Sequence, residues 1–362
     1  KHLLKDADLF NTRYNYYPIG TGPFKFKEWG YDNTIILEAN EEYFEARPYL
    51  DKIIVKSYPD SSELWSALMR GEVDFMKFME QKDYEIAKQD LAFKTYAIPI
   101  DYYLAITYNL EDRILCDKRI RYAIAYAIDR KEMIRRIAGG YGIECIGPFY
   151  PESECFYEGI KPVDYNPEKA KSILSEAGWK DLDNNGILEK DGDDLELKIL
   201  VDERSDVVKR IAMFIRQQLQ EIGVKLSVIL YNDEGQFNPE FLRIHNPQMH
   251  LIYGYADRLG SNEAGKDWCS DFKIKAGRLW KYRNREVDRL FALGQVTKDK
   301  EGSKRIYKKI HQLIYDDQPA CFLFFPYIFL GTSAKFKNTE QFFSPIMPFY
   351  TIKDWYIEEV EN

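Results

Sequence analysis

The chain has 362 residues, of which 45% are hydrophobic and 15% aromatic, enough apolar material for a packed core in two or three domains. Its 59 acidic against 51 basic side chains leave a net charge of −8, and the basic residues are scattered, which argues against a nucleic-acid or anionic-membrane binder. The longest apolar run, near Ala320 to Leu330, is interrupted by Pro326 and is too short to span a bilayer.

The chain opens on Lys1, with neither an initiator Met nor a signal peptide, as expected of a processed secreted protein or of a piece of something longer. The stretch YYPIGTGPFKFKEW, Tyr16 to Trp29, fails as a phosphate loop: Pro23 follows Gly22 and has no N–H to offer an anion. Gly20 and Gly22 are instead expected to supply turn geometry, with Phe24 and Phe26 on one face of a strand. Thr34 to Ala39 and Lys52 to Tyr58 are rich in β-branched residues and read as strands. Ser61 is expected to cap a short helix that Gly71 stops, before an extended segment from Val73 to Met79.

From Asp117 onward, Ile120, Ile124, Ile128, Ile134 and Ile137 fall near helical spacing, which predicts one helix capped by Asp117 and ended by Gly139-Gly140. A second helix runs from Pro167 to Gly178. A third carries Val208, Ile211, Ile215, Leu219 and Ile222 on one stripe and stops at Gly223. It hands over to a strand in which Val224, Leu226, Val228 and Leu230 alternate. A fourth, Ser303 to Tyr315, precedes Pro319 and a buried strand, Cys321 to Leu330. Alternating strands and helices define an α/β protein.

Five cysteines form no CxxC pair and four histidines no HExxH-type spacing, which argues against zinc. Cys145 and Cys155 flank a turn region and are either a local disulfide or buried free thiols. Asp181 to Asp193 places oxygen ligands at the first, third and fifth positions of a calcium-type loop (Asp181, Asp183, Asn185) and glycine at the sixth. Its twelfth position is Gly192 instead of the closing Glu, so an acidic surface turn competes with calcium binding by those three residues. No GxSxG or comparable nucleophile motif supports an enzyme. The 27 Tyr, 22 Phe and 6 Trp supply the core and are also the residues that line pockets for small organic ligands.

Several stretches, in order along nearly the whole chain, resemble one family. They are PIGTGPFKFKEW, ALMRGEVDF (Ala67 to Phe75), KRIRYAIAYAID (Lys118 to Asp129) continuing into Arg130, Gly147-Pro148, Ala177-Gly178-Trp179, NREVDRL (Asn284 to Leu290) and Asp317-Gln318-Pro319. Together they are similar to the extracellular solute-binding proteins of family 5, the oligopeptide-, dipeptide- and nickel-binding receptors of ABC importers. The resemblance implies a two-lobed periplasmic-binding-protein-like fold (type II, cluster C-like) with a hinge and an inter-lobe cleft. Lobe I would comprise residues 1–104 and 326–362, and lobe II residues 105–325. Because relatives carry further residues ahead of the Gly-Thr-Gly-Pro turn, lobe I is expected to be incomplete, with unpaired sheet edges that favour partial disorder or oligomerisation.

The implied function is non-enzymatic: capture of a peptide or similar small solute and delivery to an ABC importer permease. It implies a periplasmic or extracellular location, membrane association only through a lipid anchor or the permease, and no cofactor beyond the calcium option. Gly254-Tyr255-Ala256-Asp257 resembles the family stretch whose Asp pairs with a ligand amine, which makes Asp257 the candidate anchor. Tyr255 and Trp268 are candidate cleft walls, and Tyr102 and Tyr103 lie at the expected hinge. The Asp-Pro that usually follows is replaced by Arg258-Leu259-Gly260-Ser261, which leaves the ligand class open. The alternatives are the same fold repurposed as a sensory or interaction protein, and a calcium-dependent secreted hydrolase.

Overall fold

A computed structural model describes residues 15–30, 34–232, 239–256, 267–270, 281–340 and 351–358. In chain order the elements begin β1 (Phe24–Trp29), β2 (Ile35–Ala39), β3 (Lys52–Val55), α1 (Ser61–Met69), β4 (Phe75–Lys77), α2 (Gln81–Ala87), β5 (Phe93–Pro99) and β6 (Tyr102–Tyr108). They continue with α3 (Lys118–Ala127), α4 (Arg130–Ile137), β7 (Gly142–Glu144), α5 (Pro167–Glu176), β8 (Glu189–Lys190), β9 (Asp193–Asp194), β10 (Glu196–Asp202), α6 (Asp206–Glu221) and β11 (Lys225–Tyr231). The last are α7 (Pro239–His245), β12 (Met249–Tyr255), α8 (Arg285–Val296), α9 (Lys300–Asp317), β13 (Ala320–Ser333), β14 (Phe336–Lys337) and β15 (Tyr356–Ile357).

The chain divides into a smaller unit, up to Ile98 and from Ile328, and a larger one, Pro99 to Tyr327. These unit limits differ from the lobe limits expected at 104/105 and 325/326, and strand pairing gives the reason. β6 is hydrogen-bonded to β12 along its whole length, from Tyr102 opposite Tyr255 to Tyr108 opposite Met249, so Tyr102 to Leu104 cannot be separated from the larger unit. Pro326 pairs with Gly142 of β7 and belongs there too.

In the larger unit the strands run β11-β10-β12-β6-β13, with β7 also along β13. β10 and β11 are parallel and joined by α6, while β6 is antiparallel to both of its neighbours. Along β6, Leu104, Ile106 and Tyr108 enter one core with α3 to α6, and Tyr103 and Ala105 enter another with α8 and α9. This strand is buried on both faces, so its sequence reads as continuously apolar. α6 is capped by Ser205, whose hydroxyl accepts from Val208 N, and its stripe Val208, Ile211, Ile215 and Leu219 is buried as predicted. The alternation predicted for β11 holds over Val224, Leu226 and Val228 and departs only at Leu230. Leu226 and Val228 face the main core, Ile229 and Tyr231 pack on the other side near Phe241 and Leu242, and Leu230 is half exposed at the strand end.

The single helix expected from Asp117 to Gly139 is two. Ile128 is extended (φ −99°, ψ 112°), and Asp129 caps α4 by accepting from Glu132 N. Arg130, 5% exposed, fills the break: its guanidinium donates to the carbonyls of Ala125, Ile128, Val163 and Phe322 and contacts Cys321 Sγ at 3.1 Å. Helix interruption frees carbonyls, and a buried five-donor fork satisfies them. Arg121 does the same for the carbonyls of Leu115, Cys116, Asp317 and Gln318, tying α3 to the end of α9. Cys145 and Cys155 are buried thiols not joined to each other, so the disulfide alternative is not realised.

In the smaller unit, β1, β2 and β3 form an antiparallel sheet, and β4 and β5 pair with β13, β4 opposite Leu330 to Thr332. Phe24 and Phe26 are half buried and Lys25 and Lys27 more exposed, as the alternation predicts. Gly20 and Gly22 are not demanded by the turn, because neither has positive φ and an added Cβ would meet nothing nearer than 3.9 Å. The turn is held instead by Asn40, which donates through its backbone N to Pro23 O (2.8 Å) and through Nδ2 to Gly22 O (3.1 Å). The cap of α1 is Asp60, not Ser61, since the Asp60 carboxylate accepts from Glu63 N at 2.9 Å. The strands expected over 52–58 and 73–79 shorten to β3 and β4.

Candidate functional site

The candidate ligand residues lie on the larger unit, at the end of the β6-β12 pair. Tyr102 and Tyr255 are directly opposed in register, so their side chains share a face, and their rings meet edge to face at 5.6 Å. Tyr253, two residues before Tyr255, is on that face as well and is half exposed. Its side chain bonds that of Ser205, the residue that caps α6. At the nearby end of β10, Arg204 donates to both oxygens of Asp202 (2.9 and 2.6 Å) and holds that carboxyl below its usual range.

Behind this surface, His250 is buried beside Tyr231, with the Tyr231 hydroxyl 3.0 Å from Nε2. Burial pushes the imidazole down to about 4, so it is neutral at ordinary pH. The result is a tyrosine platform flanked by a carboxylate–guanidinium pair. It offers flat apolar faces, hydroxyls and both charge signs, which is recognition chemistry.

Two of the candidate site residues are buried away from the platform. Tyr103 is 1% exposed, with its ring against Phe322 and Phe325 and so close over Gly254 that a Cβ there would fall 2.4 Å from it. Trp268 is equally buried, against Tyr282 and Phe322. Both are core residues, because odd positions of β6 and the segment around Trp268 face α8 and α9 rather than the platform. Asp257 lies outside the described residues, two positions after Tyr255. Tyr253, Ser205, Asp202 and Arg204 were not foreseen. The signal for Tyr253 was available in the period-two spacing from Tyr255, whereas the other three come from the end of β10 and the turn that leads into α6.

In the acidic turn, Asp181, Asp183 and Glu189 bring carboxylate oxygens within 4.8 Å of one another. Asn185 is committed inside the loop: Nδ2 donates to Asp183 and Oδ1 accepts from Ile187 N. The carboxylates are already bonded by loop amides, with Asn185 N and Gly186 N donating to Asp181 and Leu182 N to Glu189. These amides hold the carboxylates in place within the turn, and no metal chemistry is derived from them.

Comparison with known proteins defines first the class. The chain superposes on the oligopeptide-binding protein AppA from Bacillus subtilis, solved in complex with a nonapeptide, with a TM-score of 0.71 and 29% identity, covering 98% of this chain and 70% of that one. A putative peptide-binding protein AppA from Clostridium difficile superposes with a TM-score of 0.83 and 27% identity, covering 97% and 70%. The fold is thus that of the two-lobed periplasmic binding proteins. The sequence profile of the bacterial extracellular solute-binding proteins, family 5 (middle region), matches residues 1–271, and the chain belongs to this family. In sequence it is 31% identical to the Bacillus subtilis oligopeptide-binding protein AppA over 99% of its own length and 66% of that protein, and 25% identical to heme-binding protein A of Haemophilus influenzae over 83% and 53%. It therefore spans less than two thirds of the length of either relative.

Proposed function

We propose that the protein is a solute receptor that captures a peptide or a similar small, polar-ended solute outside the cytoplasm and passes it unchanged to an ABC importer. The observation that carries this reading is the platform of Tyr102, Tyr253 and Tyr255, which runs into the Gly254-Tyr255-Ala256-Asp257 stretch. Tyrosine faces accept peptide planes and side chains of many shapes, hydroxyls bond amides, and Asp257 receives the ligand ammonium. The family is one of binding proteins, and the nonapeptide bound by one relative supports a peptide-sized ligand. Among the described residues no helix is long and apolar enough to cross a membrane, which accords with capture by an extracellular domain.

The test is native mass spectrometry of the freshly purified chain, followed by calorimetric titration of any released peptide. A stoichiometric adduct is expected, returned intact, with binding weakened at least about tenfold by Tyr255→Ala, the loss of one aromatic contact. Conversion of the peptide into products, or full affinity in both Tyr255→Ala and Asp257→Ala, would overturn the assignment.

A further inference from the structure

A second surface of the larger unit has a different chemistry. Between α4 and α6 lies an open groove of about 580 Å³, with Ile137, Met213 and Phe214 along its floor and Arg136, Arg210 and Arg216 around it. Its remaining lining is two glutamines, and no carboxylate faces it, in a chain whose net charge is −8. Met213, 53% exposed, falls outside the stripe that α6 gives to the core, whereas Phe214 is half buried against that core and Ile137 is part of it, so the groove shows one free apolar side chain beside the edges of two more.

The charge is only partly offset locally, by Glu132 at Arg136 and by Asp206 one turn before Arg210. Arg136 shares the single carboxylate of Glu132 with Arg135, and among the described residues Arg210 and Arg216 have no carboxylate within ion-pair distance. On a helix of 1.5 Å rise, Arg210 to Gln220 extends about 15 Å. That is room for four or five extended residues at about 3.3 Å each.

We propose that this groove docks an acidic segment of a partner protein that carries alternating apolar side chains. Carboxylates would meet Arg136, Arg210 and Arg216 at the rim, and one or two apolar side chains would lie on Ile137, Met213 and Phe214. Arginine suits the role because its planar fork pairs with carboxylates bidentately.

The probe is a fluorescein-labelled hexapeptide of alternating Glu and Leu, titrated by anisotropy with the full chain at low salt. Saturable binding is expected, weakening as salt rises and falling at least about tenfold in the exposed double variant Arg210→Glu/Arg216→Glu, as for loss of paired interfacial charges. Unchanged melting of the double variant shows that it folds, and a Lys-Leu peptide should not bind. This outcome is separable from the solute site: Asp257→Ala leaves groove binding intact, whereas a probe held at the tyrosine platform would be lost with Asp257→Ala and kept by the arginine variant, overturning the proposal. Equal binding to both charge variants, no binding of the Glu-Leu peptide, or arginine-dependent sedimentation with phosphatidylglycerol vesicles in place of peptide binding would also overturn it.

Discussion

The two units are held by different means. The larger one is tied together by buried polar groups: Arg130 fixes carbonyls of three separate segments and Arg121 of two, and Asp317 accepts from Tyr282 OH (2.6 Å) and Asn284 Nδ2 (2.7 Å). His311 accepts from Tyr157 N at 3.1 Å through Nδ1, deep between Phe149 and Phe156. In the smaller unit the charged contacts among the described residues lie on the surface, such as Lys27 with Glu38 and Lys94 with Glu340, and one core gathers only Phe336, Ile352 and Trp355 around half-buried neighbours. Buried polar ties cost much to break because each leaves unpaired groups in a low-dielectric interior, whereas surface pairs exchange their partner for water.

The sharpest way to break this contrast is Arg130→Met, which fills the volume but removes every donor. It should destabilise the larger unit by more than about 4 kcal/mol, since several buried carbonyls are orphaned at about 1–3 kcal/mol each. Denaturant unfolding followed by hydrogen exchange reads it. A loss under about 1 kcal/mol, within the range of a surface change, would mean that the helix break needs no guanidinium.

Acid comes next. Burial lowers His250 to about 4 and His311 to about 3, so below the ordinary histidine value the unfolded chain takes up protons that the folded chain refuses. Stability is therefore complete above about 6.5 and declines as pH falls toward 4, by about 1.4 kcal/mol per pH unit for each histidine. All described histidines are in the larger unit, so exchange protection there should fall first. A His250→Gln/His311→Gln chain with the same pH slope would remove this explanation.

The smallest effect is expected at the smaller unit's surface. Lys94→Ala breaks the exposed pair with Glu340 and should change stability by less than about 1 kcal/mol, an effect that salt diminishes. A larger loss would show that this unit too depends on charge.

The resemblance motifs turn out to be joints of the scaffold more than contacts for a ligand. Ile128-Asp129-Arg130 is the helix break with its own cap and carbonyl clamp, and Asp317-Gln318 is where Arg121, Tyr282 and Asn284 converge, with Gln318 at φ 48°. Periodicity located the isoleucines from Ile120 to Ile137 but not the break among them, because two helices facing one core present the same stripe as one. The platform was legible in part. Tyr102 and Tyr255 stood in the sequence, but Tyr103 is adjacent to Tyr102 and equally aromatic, and only strand register sends one ring outward and the other inward.

Local chemistry thus settled what local rules govern: the strand after the Gly-Thr-Gly-Pro turn, the α6 stripe and its stop, the buried run of β13, and the motifs shared with family 5 of the solute-binding proteins. Tertiary structure alone decided which aromatic residues are core and which are platform, that Arg121 and Arg130 are buried without a carboxylate, and that the acidic turn bonds itself through Glu189 and its own amides. Those outcomes depend on groups far apart in the chain, whose approach is fixed by sheet pairing and not by spacing.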